Sequence, residues 1–359
     1  MELKNSIYVL ITIIATLMLV VSCSPVEEIT DDPIDTEDPV DPEITDDIED
    51  EDSSSISAIA VEIQYTDDGT AYLVNPDDIF SGGPTKGGIG VDRGIPALSD
   101  ENIHFVDVFE ADECIDEDEL VLALHYKGEK RVYPLQILVW HEIANDVVAG
   151  IPLAITYCPL CGSGIAYERT LTIDGESVVA EFGTSGKLYN SNLVMYDDLT
   201  DTYWQQIDGK AIVGDLVGQE LTDISIDTVV WRYYKLAHTD AEVLSQDTGM
   251  DRNYGNDPYG SYYESSLLFF PVDNEDDSIH PKTVTFGVYV EGVYKAYLED
   301  DLILDNSITD TIGSTTLTIE RDSVGLVSIT DQDGNEVVKE RDFFFAWYAF
   351  HPETLVYGR

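Results

Sequence analysis

Residues 121–157, VLALHYKGEKRVYPLQILVWHEIANDVVAGIPLAITY, return without a gap as residues 285–321, TFGVYVEGVYKAYLEDDLILDNSITDTIGSTTLTIER. Gly128 falls on Gly292, Arg131 on Lys295, Tyr133 on Tyr297, Leu138 on Leu302, Asp146 on Asp310, Leu153 on Leu317 and Ile155 on Ile319. A constant spacing over the whole run is more than shared composition, and marks an internal repeat. A second echo joins residues 231–244 (WRYYKLAHTDAEVL) to residues 344–357 (FFAWYAFHPETLVY), with His238 on His351. Two related lobes packed as a pseudo-dimer account for both: a first lobe over 58–246 and a second, degenerate lobe over 247–359.

Around the repeat, short β-branched and aromatic runs alternate with turns. Strands are expected at 58–65, 120–126, 152–157, 165–171, 177–182, 193–196, 283–290 and 315–320. Asp174-Gly175 and Asp333-Gly334, each between β-branched runs, read as hairpin turns. Helical periodicity is confined to 134–145, 228–238 with Thr228 as N-cap, and 342–351. The expected fold is α+β, predominantly antiparallel sheet with a few short helices.

The same alignment separates scaffold from chemistry. His141 lands on Asp305, Glu142 on Asn306, Cys158 on Asp322 and Cys161 on Gly325, so only the first lobe carries reactive side chains at these positions. The sharpest of them lie in Tyr157-Cys158-Pro159-Leu160-Cys161-Gly162-Ser163-Gly164. Two cysteines separated by two residues can direct both sulfurs at one centre, to hold a soft metal ion, copper before zinc, or to act as a redox dithiol. The glycines that follow predict a loop where a thioredoxin-like site would start a helix. His141 and Glu142 are the nearest candidates for ligand, base or neighbouring support. A static disulfide is the bland alternative.

A second class of function is a cell-surface module in which Tyr189, Asn190, Asn192 and Trp204, with Met195 on the same stretch, hold a small ligand while the cysteines brace the loop. Met195 alternates with Tyr196 on an apolar strand and reads first as core. A third is a hydrolase or transferase with Cys158 as nucleophile and His141 as its base. His238 and His351, each ending an aromatic helix where the dipole favours a cation, read as structural pins.

The chain opens with Lys4 and an apolar run over 7–21 that closes on Ser22-Cys23. That run is too short to span a bilayer and has the form of a signal peptide, residues 1–22. Val20-Val21-Ser22-Cys23 resembles a lipoprotein lipobox, which implies a lipid on Cys23 and a protein anchored to the outer face of a membrane. Residues 23–57, almost wholly Asp, Glu, Pro, Thr and Ser, cannot bury enough apolar surface to offset their ordering and read as a charge-extended tether.

Acidic residues number 71 against 18 basic, a formal charge of −53. Nucleic acid is thereby excluded as a partner, since binding to it rests on Lys and Arg against phosphate. Self-repulsion of this size is tolerated where salt screens it, and predicts a halophilic protein. The bilayer, and a metal or redox partner at the cysteines, are the partners expected.

Residues 131–138 (RVYPLQIL), 140–145 (WHEIAN), 157–164 (YCPLCGSG), 188–197 (LYNSNLVMYD), 257–260 (DPYG) and 345–354 (FAWYAFHPET) together resemble the prokaryotic domain-of-unknown-function family 3179. The resemblance spans nearly the whole globular part, and implies no activity.

Overall fold

The computed structural model describes residues 62–359. The apolar leader, Cys23 and the acidic tether lie outside the described residues. Antiparallel sheet predominates among them, with a few short helices, as the periodicity implied. No helix among them is long and apolar enough to cross a membrane.

In the first lobe, β1 (Leu120–Tyr126) and β2 (Glu129–Pro134) form a hairpin whose turn places Lys127 and Gly128 at φ 49° and 90°. Helix α1 (Leu135–His141) follows, and Glu142 stops it by taking the left-handed conformation at φ 58°. A second hairpin, β3 (Ile143–Val148) with β4 (Ile151–Cys158), continues through a tight turn into β5 (Ser163–Glu168). The pair β6 (Phe182–Tyr189) and β7 (Asn192–Asp197) belongs to a separate seven-stranded sheet. Strand β8 (Asp227–Val230) pairs with β1 and leads into α2 (Trp231–Ala237), after which β9 (Glu242–Leu244) lies parallel to β2.

The second lobe repeats this course. β10 (Val284–Val290) and β11 (Val293–Leu298) turn at Glu291 and Gly292, at φ 50° and 81°. Helix α3 (Glu299–Asp305) is stopped by Asn306 at φ 57°, and β12 (Ser307–Ile312) pairs with β13 (Thr315–Arg321). β14 (Glu340–Phe343) pairs with β10 and leads into α4 (Phe344–Phe350), and β15 (Leu355–Val356) lies parallel to β11. The repeat reaches side chains. The Tyr133 hydroxyl donates to Asp146 Oδ2 at 2.7 Å, and that of Tyr297 to Asp310 Oδ2 at 2.8 Å.

The three expected helices are each shorter than their periodicity suggests, and α3 is a helix that the periodicity did not mark. Residues 143–145 are strand because the left-handed Glu142 breaks α1. Thr228 is not an N-cap: it lies in β8, bonded to β1, and α2 starts from Val230 without a side-chain cap. Asp342 likewise lies in β14 rather than in α4. In both places a partner strand supplies the hydrogen bonds a helical turn would have used.

Strand β4 explains why the site is buried. Its side chains alternate between faces with period 2, and both faces are covered. Leu153, Ile155 and Tyr157 pack with Leu122, Tyr133 and Leu138, whereas Ala154 and Cys158 pack with Phe182, Leu193, Met195 and Trp204. Each fully buried Leu or Ile here contributes roughly 2 kcal/mol, so the strand that carries Cys158 is held firmly from both sides.

Candidate functional site

Cys158 is the last residue of β4 and faces Ser163, the first of β5, across the hairpin. The turn between them is closed by Cys161 N–H donating to Cys158 O at 3.1 Å, and Gly162 sits in the left-handed region at φ 62°. This tight reversal folds Cys161 back on Cys158 and leaves the two Sγ atoms 3.1 Å apart, both thiols free. Their side chains are 1% and 0% exposed. The hairpin loop expected from the glycines is thus present, with no helix to lower a thiol pKa.

Cys161 is embedded in a polar network. Its Sγ accepts from Asn192 Nδ2 at 3.4 Å and donates to Ser191 O at 3.4 Å. Asn190 and Ser191, both left-handed at φ 47° and 61°, form the turn between β6 and β7 that presents these groups. Asn192 also donates to Gln206 Oε1 and accepts from Ile207 N, and Gln206 Nε2 donates to Thr156 Oγ1. Burial pushes the Cys161 thiol well up from its ordinary range.

Cys158 lines a cavity of about 130 Å³ together with Glu142, Pro159, Leu160, Lys187 and Tyr259. Glu142 is buried, and the loss of solvent raises its carboxyl to about 8, so it is protonated at neutral pH. The Tyr259 hydroxyl stands 3.3 Å from its Oε1. Cys158 and Glu142 therefore line one small, mainly apolar chamber.

His141 is turned to other partners. Nδ1 donates to Pro96 O at 2.7 Å and Nε2 lies 2.7 Å from the Tyr254 hydroxyl, so both ring nitrogens are occupied. Burial lowers it to about 4, and it is neutral. Among the described residues no group of three or more His, Cys, Asp and Glu side chains is placed to hold a metal ion. The hairpin itself brings together two sulfurs, half of the donor set that a four-coordinate zinc takes.

Of the residues grouped by sequence as ligand-binding, Asn192 is the one hydrogen-bonded to a cysteine. Tyr189 and Asn190 engage Asp273, through a hydroxyl contact at 3.3 Å and a backbone N–H at 2.8 Å. Trp204 is buried with Nε1 on Asp197 Oδ2 at 2.9 Å, and Met195 pairs with it across the sheet as core. His238 and His351 do cap α2 and α4, and burial lowers both, His351 to about 4, so they sit there as neutral rings.

Sequence reasoning missed the contribution of the second lobe. Phe343 N–H donates to Cys161 O at 2.7 Å, and the Phe343 ring lies where a Cβ on Gly162 would fall, 2.8 Å from its nearest atom. Arg341 Nη1 is 3.4 Å from Gly162 O. Strand β14 thus clamps the cysteine turn from outside the lobe that carries it. Residues 340–343, Glu-Arg-Asp-Phe, show no alternation that would mark a strand, and the aromatic run of α4 follows at once.

No curated protein and no solved structure matches the chain. A family model described as "Protein of unknown function (DUF3179)" matches residues 92–337, from before β1 to just short of β14. With well over half its length matched, including α1, the cysteine hairpin and most of the second lobe, the chain belongs to this DUF3179 family.

Proposed function

We propose that Cys158 and Cys161 form a redox pair that cycles between dithiol and disulfide, on a protein exported and anchored through Cys23 to the outer face of a membrane. The observation that carries this reading is the approach of two free, buried sulfurs to 3.1 Å, in a turn whose Cys158 lines a cavity. A modest closure joins them, since bonded sulfurs lie about 2.05 Å apart.

The partner that fits so small a chamber is a low-molecular-weight disulfide. Cys158, as thiolate, attacks one sulfur of that disulfide and expels the first thiol. Cys161 then loses its proton and attacks Cys158 Sγ, which expels the second thiol and leaves the intramolecular disulfide. Two protons and two electrons leave the pair, and the substrate takes them up as two thiols. Glu142, protonated in the same chamber, is placed to supply a proton to the first leaving group. The Asn192 amide on Cys161 Sγ supports the thiolate against the cost of burial.

Equilibration in glutathione buffers of graded potential, followed by a free-thiol count, tests the reading. A reversible two-electron midpoint within the range of biological thiols supports it. A pair that stays oxidised in every buffer is a brace, and one that stays reduced carries no redox function. Metal content measured on the same protein tests the soft-metal alternative, in which stoichiometric copper or zinc is lost on changing both cysteines to Ser.

A further inference from the structure

A second cavity, of about 520 Å³, lies between the lobes' elements at the cysteine hairpin, with Tyr157 and Gly162 in its wall. Its size is that of small-molecule sites, roughly 300 to 1,000 Å³. Leu135 and Val139 of α1 and Phe343 of β14 give it apolar sides, and Arg341 gives it a cation.

Arg341 is 8% exposed and poorly matched by the protein. Its Nε has no hydrogen-bond partner among the described residues, Nη1 is 3.4 Å from Gly162 O, and the Glu299 carboxylate is 3.9 Å from Nη2. A buried guanidinium costs several kcal/mol unless its donors are met, and Arg341 is among the residues that line the cavity. The fold itself does not require the cation. Arg341 pairs with Phe286 of β10 as Thr228 pairs with Leu122 of β1, so the same place in the first lobe is filled by a neutral threonine.

The geometry points to a binding site for a small organic monocarboxylate with an apolar body, its carboxylate taken by the Arg341 fork and its body by Leu135, Val139 and Phe343. Planar guanidinium and carboxylate meet through two parallel hydrogen bonds. The exposed Asp116, Asp118 and Asp257 and the half-buried Glu119 also line the cavity and act against ligands that carry more than the one negative charge Arg341 can meet. The site is independent of whether the cysteines cycle.

The test uses the full chain and three probes with one body and three head groups: 3-phenylpropionate, its amide, and 2-phenylethylamine. Binding is read by titration calorimetry and by the ligand-dependent shift in unfolding temperature. The carboxylate is expected to bind saturably and about tenfold or more tighter than the amide, and Arg341→Gln to abolish that preference. Leu120→Trp, a change at a partly exposed residue of the mouth, is expected to block all three probes without unfolding the protein, so the proposal remains testable if Arg341→Gln does not fold. Equal binding of carboxylate and amide, tighter binding of the amine, carboxylate binding that survives Leu120→Trp, or no saturation below about 10 mM overturns the proposal.

Discussion

Glu142 and Asn306 end equivalent helices in the same left-handed conformation, at φ 58° and 57°, but only Glu142 shares a chamber with a cysteine. Asn is among the few residues that adopt this conformation at little cost, so the second lobe holds the solution expected of a scaffold. A buried glutamic acid at the same place is a costlier choice. In the folded protein its pKa stands near 8 against 4.5 for the free side chain, so the fold retains a proton the unfolded chain releases. Its contribution to stability is therefore whole below pH 4.5 and is lost as the pH rises towards 8.

Glu142→Asn is expected to fold and to remove that decline. Between mildly acidic and alkaline pH the variant gains roughly 2 to 4 kcal/mol over the wild type. Urea unfolding at a series of pH values checks this, and parallel curves for the two proteins mean that Glu142 is not buried as an acid.

The two thiols are expected to differ in access. In Cys161→Ser, iodoacetamide reaches Cys158 from the cavity, whereas in Cys158→Ser the remaining Cys161, held behind Asn192 and Ser191 with its thiol pKa raised, is alkylated at least about tenfold more slowly. Mass-spectrometric time courses decide it.

Gly162→Ala places a Cβ 2.8 Å from the Phe343 ring in a backbone conformation at φ 62°. Gly175, at φ 83°, has no atom within 4 Å of the same addition and serves as a control for the backbone term alone. The expected losses are about 3 kcal/mol for the first, from strain and overpacking, and about 1 kcal/mol for Gly175→Ala. Equal losses mean that β14 is not seated on the turn.

Asn192→Ala removes a donor to Cys161 Sγ and leaves Ile207 N and Gln206 Oε1 without their partner. It is expected to cost about 2 kcal/mol and to slow disulfide formation by a small-molecule oxidant. A variant that unfolds with the wild type and oxidises at the same rate removes the network from the site.

With 71 acidic and 18 basic residues, the chain is expected to gain stability as salt screens its surface, its unfolding midpoint rising between about 0.1 and 2 M NaCl. A midpoint indifferent to salt removes the halophilic reading.

Much of the scaffold can be read from residues alone because it is encoded twice. The strand expected at 120–126 matches β1, and Gly128, Tyr133 and Asp146 each have a counterpart that performs the same structural task. The cysteine turn was legible because four residues must close it. What escaped was whatever depends on contacts distant in sequence. Thr228 satisfies helix-cap chemistry, and only its pairing with Leu122 makes it strand. His141 lies close to the cysteines along the chain, yet its ring is held by Pro96 and Tyr254. Arg341 and Phe343 sit far from the cysteines in sequence and against Gly162 in space.

The clamp formed by β14 sets an order of events in the life of the protein. Arg341 follows Gly162 by 179 residues, so β14 is synthesised well after both cysteines have emerged. Until that strand arrives, Cys161 lacks the hydrogen bond from Phe343 N–H that fixes its carbonyl, and the chain carries a further free thiol at Cys114. The interval before β14 docks is when a wrong disulfide can form, and the docking of that strand closes it.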